Sequence, residues 1–172
     1  MSGSFGTYNT YNTGVKFSTG LLGSHFVFDG AYHETATDGF LHGTAGRSGS
    51  YYGGLAYLGD NFQIRYKNIG NFEKTGQAWN GVVAGNNDAS LMGSDIKTYK
   101  DLYERGLGRF NPLYEGLVFD YDKWSFPTDA NGKYQTYRYK MDNGSYWEKT
   151  TDNFYQNHNI LSAAWKPSTA WS

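Results

Sequence analysis

Phe62-Gln63-Ile64-Arg65-Tyr66-Lys67 alternates without a break: Phe62, Ile64 and Tyr66 share one parity, Gln63, Arg65 and Lys67 the other. Apolar and charged residues on opposite parities mark a strand whose two faces meet different surroundings. Gly59-Asp60-Asn61, just upstream, reads as a tight turn, and before it Tyr51, Gly53, Leu55 and Tyr57 alternate with Tyr52, Gly54, Ala56 and Leu58. Earlier still, Phe26, Phe28, Gly30 and Tyr32 oppose Val27, Asp29, Ala31 and His33. Across the turn Leu22-Gly23-Ser24, Val15, Phe17, Thr19 and Leu21 oppose Lys16, Ser18 and Gly20. Downstream, a last long strand runs from Asn153 to Trp165 and turns at Pro167-Ser168. The pattern predicts long strands at about 4–21, 25–36, 48–58, 62–75 and 153–166.

Composition agrees with an all-β chain. The 172 residues include 23 Gly, 16 Tyr and 11 Phe, while aliphatic residues, the usual filling of helical cores, are scarce. A net charge of −1 with 19% aromatics excludes simple disorder. No apolar run approaches the 18 residues or so of a membrane helix. A mean hydropathy of −0.67 is compatible with a membrane barrel, whose alternating strands average out as polar. With no Cys there is no disulfide framework, thiol nucleophile or thiolate metal site. Arg65 and Lys67 are the densest basic pair and form no stripe, so nucleic acid is not an expected partner. Met1-Ser2-Gly3-Ser4-Phe5-Gly6 has neither a charged nor an apolar leader region, so an exported protein would extend beyond this sequence.

The rhythm breaks between 76 and 152. A helix is predicted from Asp95 to Arg105, with Ser94 as N-cap and Gly106 as stop. Asn131-Gly132 and Asn143-Gly144 are type I′ turn signals flanking 133–141, so this loop is expected to carry its own two- or three-stranded ribbon.

Connection lengths carry the topology: short at 22–24, long at 37–47, short at 59–61, very long at 76–152, short at 166–169. In an antiparallel up-and-down meander this places tight turns at one end and long loops at the other, the layout of a transmembrane β-barrel. The lipid-facing parity would then hold Val15, Phe17, Leu21, Phe26, Phe28, Tyr32, Tyr51, Leu55, Tyr57, Phe62, Ile64 and Tyr66, with Phe5, Tyr8 and Tyr11 near the outer interface. Lys16, Asp29, His33, Gln63, Arg65 and Lys67 would face the lumen. A soluble β-sandwich produces the same alternation.

Several segments, in order, resemble the barrel of TonB-dependent outer-membrane receptors of the Bacteroidetes type. Gly3-Ser4-Phe5-Gly6-Thr7-Tyr8-Asn9-Thr10 is similar to the entry into an early barrel strand, and Ser18-Thr19-Gly20-Leu21-Leu22 to its end. Thr37-Asp38-Gly39-Phe40 resembles the first long loop, and Glu73-Lys74-Thr75-Gly76-Gln77-Ala78-Trp79-Asn80-Gly81 is the most specific match. Asp152-Asn153-Phe154-Tyr155-Gln156-Asn157-His158 resembles the strand after the next large loop. Gly76 departs from the pattern, where the family has Tyr, and 111–148 has no counterpart in it. The resemblance implies a 22-stranded barrel with a plugged lumen, in the outer membrane of a Gram-negative bacterium, importing a nutrient complex of the iron-siderophore, haem or cobalamin type, or an oligosaccharide. Its implied partners are outer-membrane lipid, a plug domain and further strands outside this sequence, the TonB complex acting through that plug, and the small-molecule or chelate ligand. The chain is expected to be an internal barrel segment without plug, with residues 76–152 as an extracellular loop.

No catalytic constellation is present, so neither an enzyme nor a cofactor is expected. His25, His33, His42 and His158 lack zinc-site spacing. Asp120-Tyr121-Asp122 and Asp129-Ala130-Asn131-Gly132 fall short of a calcium-ligand series and read as turns. Candidate ligand-binding residues are Trp79, Tyr114, Tyr121 and Trp124 in the loop, whose rings either stack on a ligand or pack the loop on itself. Arg65 and Lys67 in the lumen either attract an anionic chelate or pair with plug carboxylates. Trp124→Ala and Arg65→Ala leave uptake unchanged if the packing and pairing alternatives hold.

Overall fold

The computed structural model describes residues 1–81 and 96–167. Strand makes up 52% of the chain and helix almost none. Among the described residues no helix is long and apolar enough to cross a membrane. Two compact units share the chain: a sheet unit (Met1–Thr37, Gly46–Thr75 and the stretch from Asn153 on) and a loop unit (Asp38–Ala45 and Gly76–Asp152).

The sheet unit is a meander of six antiparallel strands: β1 (Ser2–Phe5), β2 (Tyr11–Ser18), β3 (Phe26–Thr37), β4 (Gly46–Leu58), β5 (Phe62–Gly76) and, completing the order, β8 (Thr151–Trp165). The strand predicted at 4–21 is thus two strands. Tyr8 and Asn9 both take positive φ, 56° and 52°, and Thr10 N donates to the Thr7 carbonyl, which folds Thr7–Thr10 into a type I′ turn without the glycine that ordinarily announces one. Thr10 Oγ1 lies 2.8 Å from Thr37 Oγ1, so this turn shares a sheet end with the strand ends leading into 38–45 and 77–150. That end carries one tight turn and two long connections, whereas among the described residues the other carries only the tight connections 19–25 and 59–61; the turn predicted at 166–169 runs outside the described residues. The sequence-predicted separation therefore holds for one end and not the other.

The loop unit contains α1 (Tyr99–Glu104) and the two-stranded ribbon of β6 (Glu115–Leu117) and β7 (Thr136–Arg138). Thr98 caps α1: its hydroxyl accepts from Asp101 N, and the Asp101 carboxylate accepts from Thr98 N in return. The predicted cap Ser94 and start Asp95 lie outside the described residues. Gly106 ends the helix at φ 78°. Neither Asn-Gly pair forms a type I′ turn. Only Gly132 and Gly144 have positive φ, and Gly132 N and Gly144 N donate to the Asp129 and Met141 carbonyls. Each is a type I turn closed by a left-handed glycine. The cause is local: Asp129 Oδ1 accepts from Asn131 N and Lys133 N, and Asn143 Oδ1 from Ser145 N, and these bonds hold the preceding residues at negative φ.

Ile96, Leu107 and Phe110 are the buried hydrophobic residues among those described, and Leu102, Leu117 and Tyr134 pack against them. All six belong to the loop unit. Among its described residues the sheet unit has no comparable cluster, and every residue of β8 after Thr151 is exposed.

Candidate functional site

Strand register decides which side chains share a face. Val15 pairs with Tyr32, Tyr32 with Tyr51 and Tyr51 with Gly70; Phe28 pairs with Leu55 and Leu55 with Tyr66; Phe26 pairs with Tyr57 and Tyr57 with Ile64. Directly paired residues project to the same side, so these strand residues of the predicted lipid-facing set fall on one face, with Phe17 opposite Gly30. Leu21 lies beyond the end of β2. Lys16, Asp29, His33, Gln63, Arg65 and Lys67 fall on the other face.

Rings on the aromatic face lie across the sheet because glycines stand opposite them. A Cβ added to Gly30 would come within 2.5 Å of Phe17 Cζ. At Gly49 it would come within 2.6 Å of Phe72 Cζ, and at Gly70 within 2.6 Å of Tyr51 Cε1. Each is a direct cross-strand pair. At these three pairs a Gly and an aromatic residue serve one purpose, a ring covering backbone that would otherwise be bare.

Near the end bearing the long connections, this face holds an arrangement that the alternation did not reveal. Glu34 is 6% exposed and receives Arg47 Nε (3.0 Å) and Nη2 (2.7 Å), the Tyr11 hydroxyl (2.5 Å) and the Tyr32 hydroxyl. Arg47 in turn lies over Phe72, 5.6 Å from its ring centre. One carboxylate therefore ties β2, β3 and β4 together. The signal was available: Glu34 and Arg47 are opposite charges on otherwise apolar parities of neighbouring strands.

On the polar face, Arg65 donates to Gln63 Oε1 at 3.1 Å, and Asp29 and Lys67 flank Gly54 in one row of the register. A cleft of about 310 Å³ runs along these residues, between Val27, Asp29 and Tyr52 on one side and Arg65 and Lys67 on the other. A second, of about 390 Å³, is lined by Lys16, His33, Ser50 and Tyr52. Both are open clefts, the first bordered by the acidic Asp29 as well as the basic Arg65 and Lys67.

The loop candidates fall into three places within their unit. Tyr121 and Trp124 come together edge-on against Phe119, at 5.0 and 5.4 Å, on a hairpin tip closed by reciprocal backbone bonds between Asp120 and Ser125. Asp120 Oδ1 also accepts from Asp122 N and Lys123 N, and Lys123 Nζ sits 3.1 Å from Oδ2. The two rings remain 78% and 67% exposed, and Trp124 holds φ 49°, a left-handed conformation that is costly for a bulky residue. Tyr114 lies elsewhere, under the Arg138 guanidinium at 3.7 Å. Trp79 is apart from both, donating from Nε1 to Gln77 Oε1 at 2.6 Å.

The 38–45 segment is bound into the loop unit by a polar knot. His42 Nδ1 meets the buried Glu115 at 2.6 Å, and Arg109 Nε donates to the Phe40 carbonyl. Asn111, almost wholly buried, donates from Nδ2 to the carbonyls of His42 and Gln77. Gly76 joins this packing, since a Cβ there would run into the Gly43 carbonyl. The Tyr expected from the receptor resemblance has no room at that position.

Among acidic side chains in this unit, Asp101, Asp120 and Asp129 are held below the ordinary carboxylate range, chiefly by backbone N–H donors from Lys97, Lys123 and Lys133 respectively. These are turn and cap carboxylates. Among the described residues no three His, Asp or Glu side chains gather as a metal site. Comparison with protein-family models, curated proteins and solved structures gives no match.

Proposed function

We propose that this chain is a segment of an outer-membrane, TonB-dependent active-transport receptor that binds a nutrient complex of the iron-siderophore, haem or cobalamin type and admits it across the membrane. The observation that carries the reading is the sheet unit itself: long strands, one aromatic face, one polar face, and no buried apolar cluster among its described residues. At about 3.3 Å per residue and a tilt near 45°, strands of 12 to 15 residues cover roughly 28–35 Å, enough to cross an apolar band of about 25 Å. A water-soluble sandwich needs a second sheet over the aromatic face. The other sheet among the described residues has two strands of three residues, too small for that role.

On this reading lipid covers the aromatic face, while the plug and the anionic parts of the ligand meet Arg65, Lys67 and their neighbours. Further strands pair with the open edge of β8, which would otherwise be an aggregation hazard. Tyr121 and Trp124 meet the ligand first, outside the membrane. The decisive experiment is peptide mass spectrometry on outer-membrane bands from the source organism. Peptides of this sequence are expected in a band several-fold heavier than 19.3 kDa, together with peptides of a plug. Recovery only from a soluble band near that mass would overturn the reading in favour of a secreted carbohydrate-binding module.

A further inference from the structure

Charge on the aromatic face is sorted to one end. In the paired rows of β1 to β5 that face carries three charged side chains, Glu34, Arg47 and Lys74. Arg47 and Lys74 are direct cross-strand partners, in one row with Tyr11 and Ala36. Glu34 stands one row further in, with Gly49 and Phe72. From there to the row of Phe26, Tyr57 and Ile64 the face holds only glycines, Asn68, aliphatic and aromatic side chains.

The excess is basic. The Glu34 carboxylate is taken up by Arg47 and the two tyrosine hydroxyls, while Lys74 is exposed and meets no carboxylate among the described residues. Like charges directly opposite one another in a sheet repel, so this row carries a positive charge that the sheet unit leaves unanswered. Arg47 is fixed there, bidentate to Glu34 and laid over Phe72, yet its side chain stays 60% exposed. The row also stands at a particular depth. Arg47 and Tyr57 on β4, like Lys74 and Ile64 on β5, are ten residues apart. That spacing is about 33 Å along the strand and about 23 Å across a membrane at a tilt near 45°. With Tyr57 and Ile64 at one border of an apolar band of about 25 Å, Arg47 and Lys74 stand at the other, level with headgroups.

We propose that the Arg47–Lys74 row binds the phosphate of an anionic lipid whose acyl chains lie along the aromatic face, an inference resting on the membrane reading above. Charge complementarity selects the occupant. A zwitterionic lipid brings a cation together with its phosphate, and a free phosphate ion gains nothing from the apolar rows beside the site, whereas an anionic lipid answers both the charge and the apolar surface. The two basic groups divide the work: a guanidinium held by Glu34 gives a fixed direction, and the Lys74 ammonium is a mobile point charge that closes on the phosphate from the neighbouring strand.

The test uses the whole protein, extracted from its native outer membranes in neutral detergent, stripped of lipid and titrated with phosphatidylglycerol under native mass spectrometry. Lys74→Gln leaves the Glu34 clamp intact and is expected to weaken phosphatidylglycerol binding about fivefold, the effect usual for one basic group at an anionic lipid surface. Lys74→Arg should restore it. Lys16→Gln removes the same charge from the opposite face and should leave binding unchanged. Equal losses in Lys74→Gln and Lys16→Gln would assign binding to net charge and overturn the inference. Equal binding of phosphatidylcholine would overturn it as well, and so would displacement of the lipid by millimolar inorganic phosphate, the mark of a site for the free ion. Each of these results leaves the transport reading standing. Recovery of the unsubstituted protein from the soluble fraction overturns both.

Discussion

The Phe17 ring lies over the backbone of Gly30, its direct cross-strand partner, and occupies the space that a side chain at position 30 would need. Tyr51 stands in the same relation to Gly70, and Phe72 to Gly49. Gly30→Ala and Gly70→Ala are each expected to destabilise the sheet by about 1–3 kcal/mol, the usual range for forced overpacking. Gly53→Ala, where the space is open, should be neutral or stabilising by up to about 1 kcal/mol. Urea unfolding followed by tryptophan fluorescence checks all three. Equal midpoints for Gly30→Ala and Gly53→Ala would show that ring placement does not matter.

Removing the Glu34 carboxylate leaves Arg47 and two tyrosine hydroxyls without their shared acceptor. Glu34→Ala should cost about 2–4 kcal/mol, less than a fully buried pair because the Arg47 side chain is 60% exposed. In a double-mutant cycle with Arg47→Ala the two losses should fall well short of additive. Additive losses would mean that the bidentate contact contributes nothing of its own.

Asp101, Asp120 and Asp129 make the loop unit acid-sensitive. Each carboxylate titrates lower in the folded chain than in the unfolded one. Their stabilisation is therefore present above the ordinary carboxylate range and is lost as pH falls through the lowered folded values. The amide of Lys133, which donates to Asp129 Oδ1, should lose protection from hydrogen exchange in that acid window once intrinsic rates are corrected for. In Asp129→Asn the acid step at this amide should vanish. A step of unchanged size there would assign the acid sensitivity to another group.

Trp124 separates strain from binding. Replacing it with Asn, which tolerates a left-handed backbone, should raise or leave unchanged the stability of the Asp120–Ser125 hairpin, since such strain costs about 1–2 kcal/mol. On the transport reading proposed above, ligand affinity should fall about tenfold, the loss expected when one well-placed aromatic contact disappears. Uptake of ferric siderophore, haem and cobalamin by cells carrying the variant provides the readout. Unchanged uptake of whichever ligand the parent imports would show that the ring only packs the loop.

What could be read in advance followed from strand chemistry. The period of two from Phe26 to Lys67 determines both the strands and their faces, because a pleated backbone sends successive side chains to opposite sides whatever lies beyond them. The 6–10 turn was hidden because it places Tyr8 and Asn9 in a conformation that Gly usually marks. The Asn-Gly turns differ in type from what the sequence predicts because side-chain acceptors at Asp129 and Asn143, three residues and one residue upstream of their glycines, set the geometry. The candidate residues were legible singly rather than as groups: nothing local indicates that Tyr121 and Trp124 share Phe119 while Tyr114 belongs with Arg138. The Glu34 clamp and the Arg47–Lys74 pair are cross-strand facts, visible only once register is known.

Strands β1 to β5 join neighbour to neighbour through connections of three to eight residues, whereas β5 and β8 become adjacent only after the chain has travelled through 77–150. The entropy of closing a loop grows with its length, and contacts between distant residues form slowly. Assembly therefore has a built-in order. The pairing of β5 with β8 is accordingly expected to form after the neighbour-to-neighbour pairs of β1 to β5. A chain whose loop unit fails to condense would stall as a five-stranded ribbon with β5 as its open edge, the kind of unpaired edge that invites pairing with another chain.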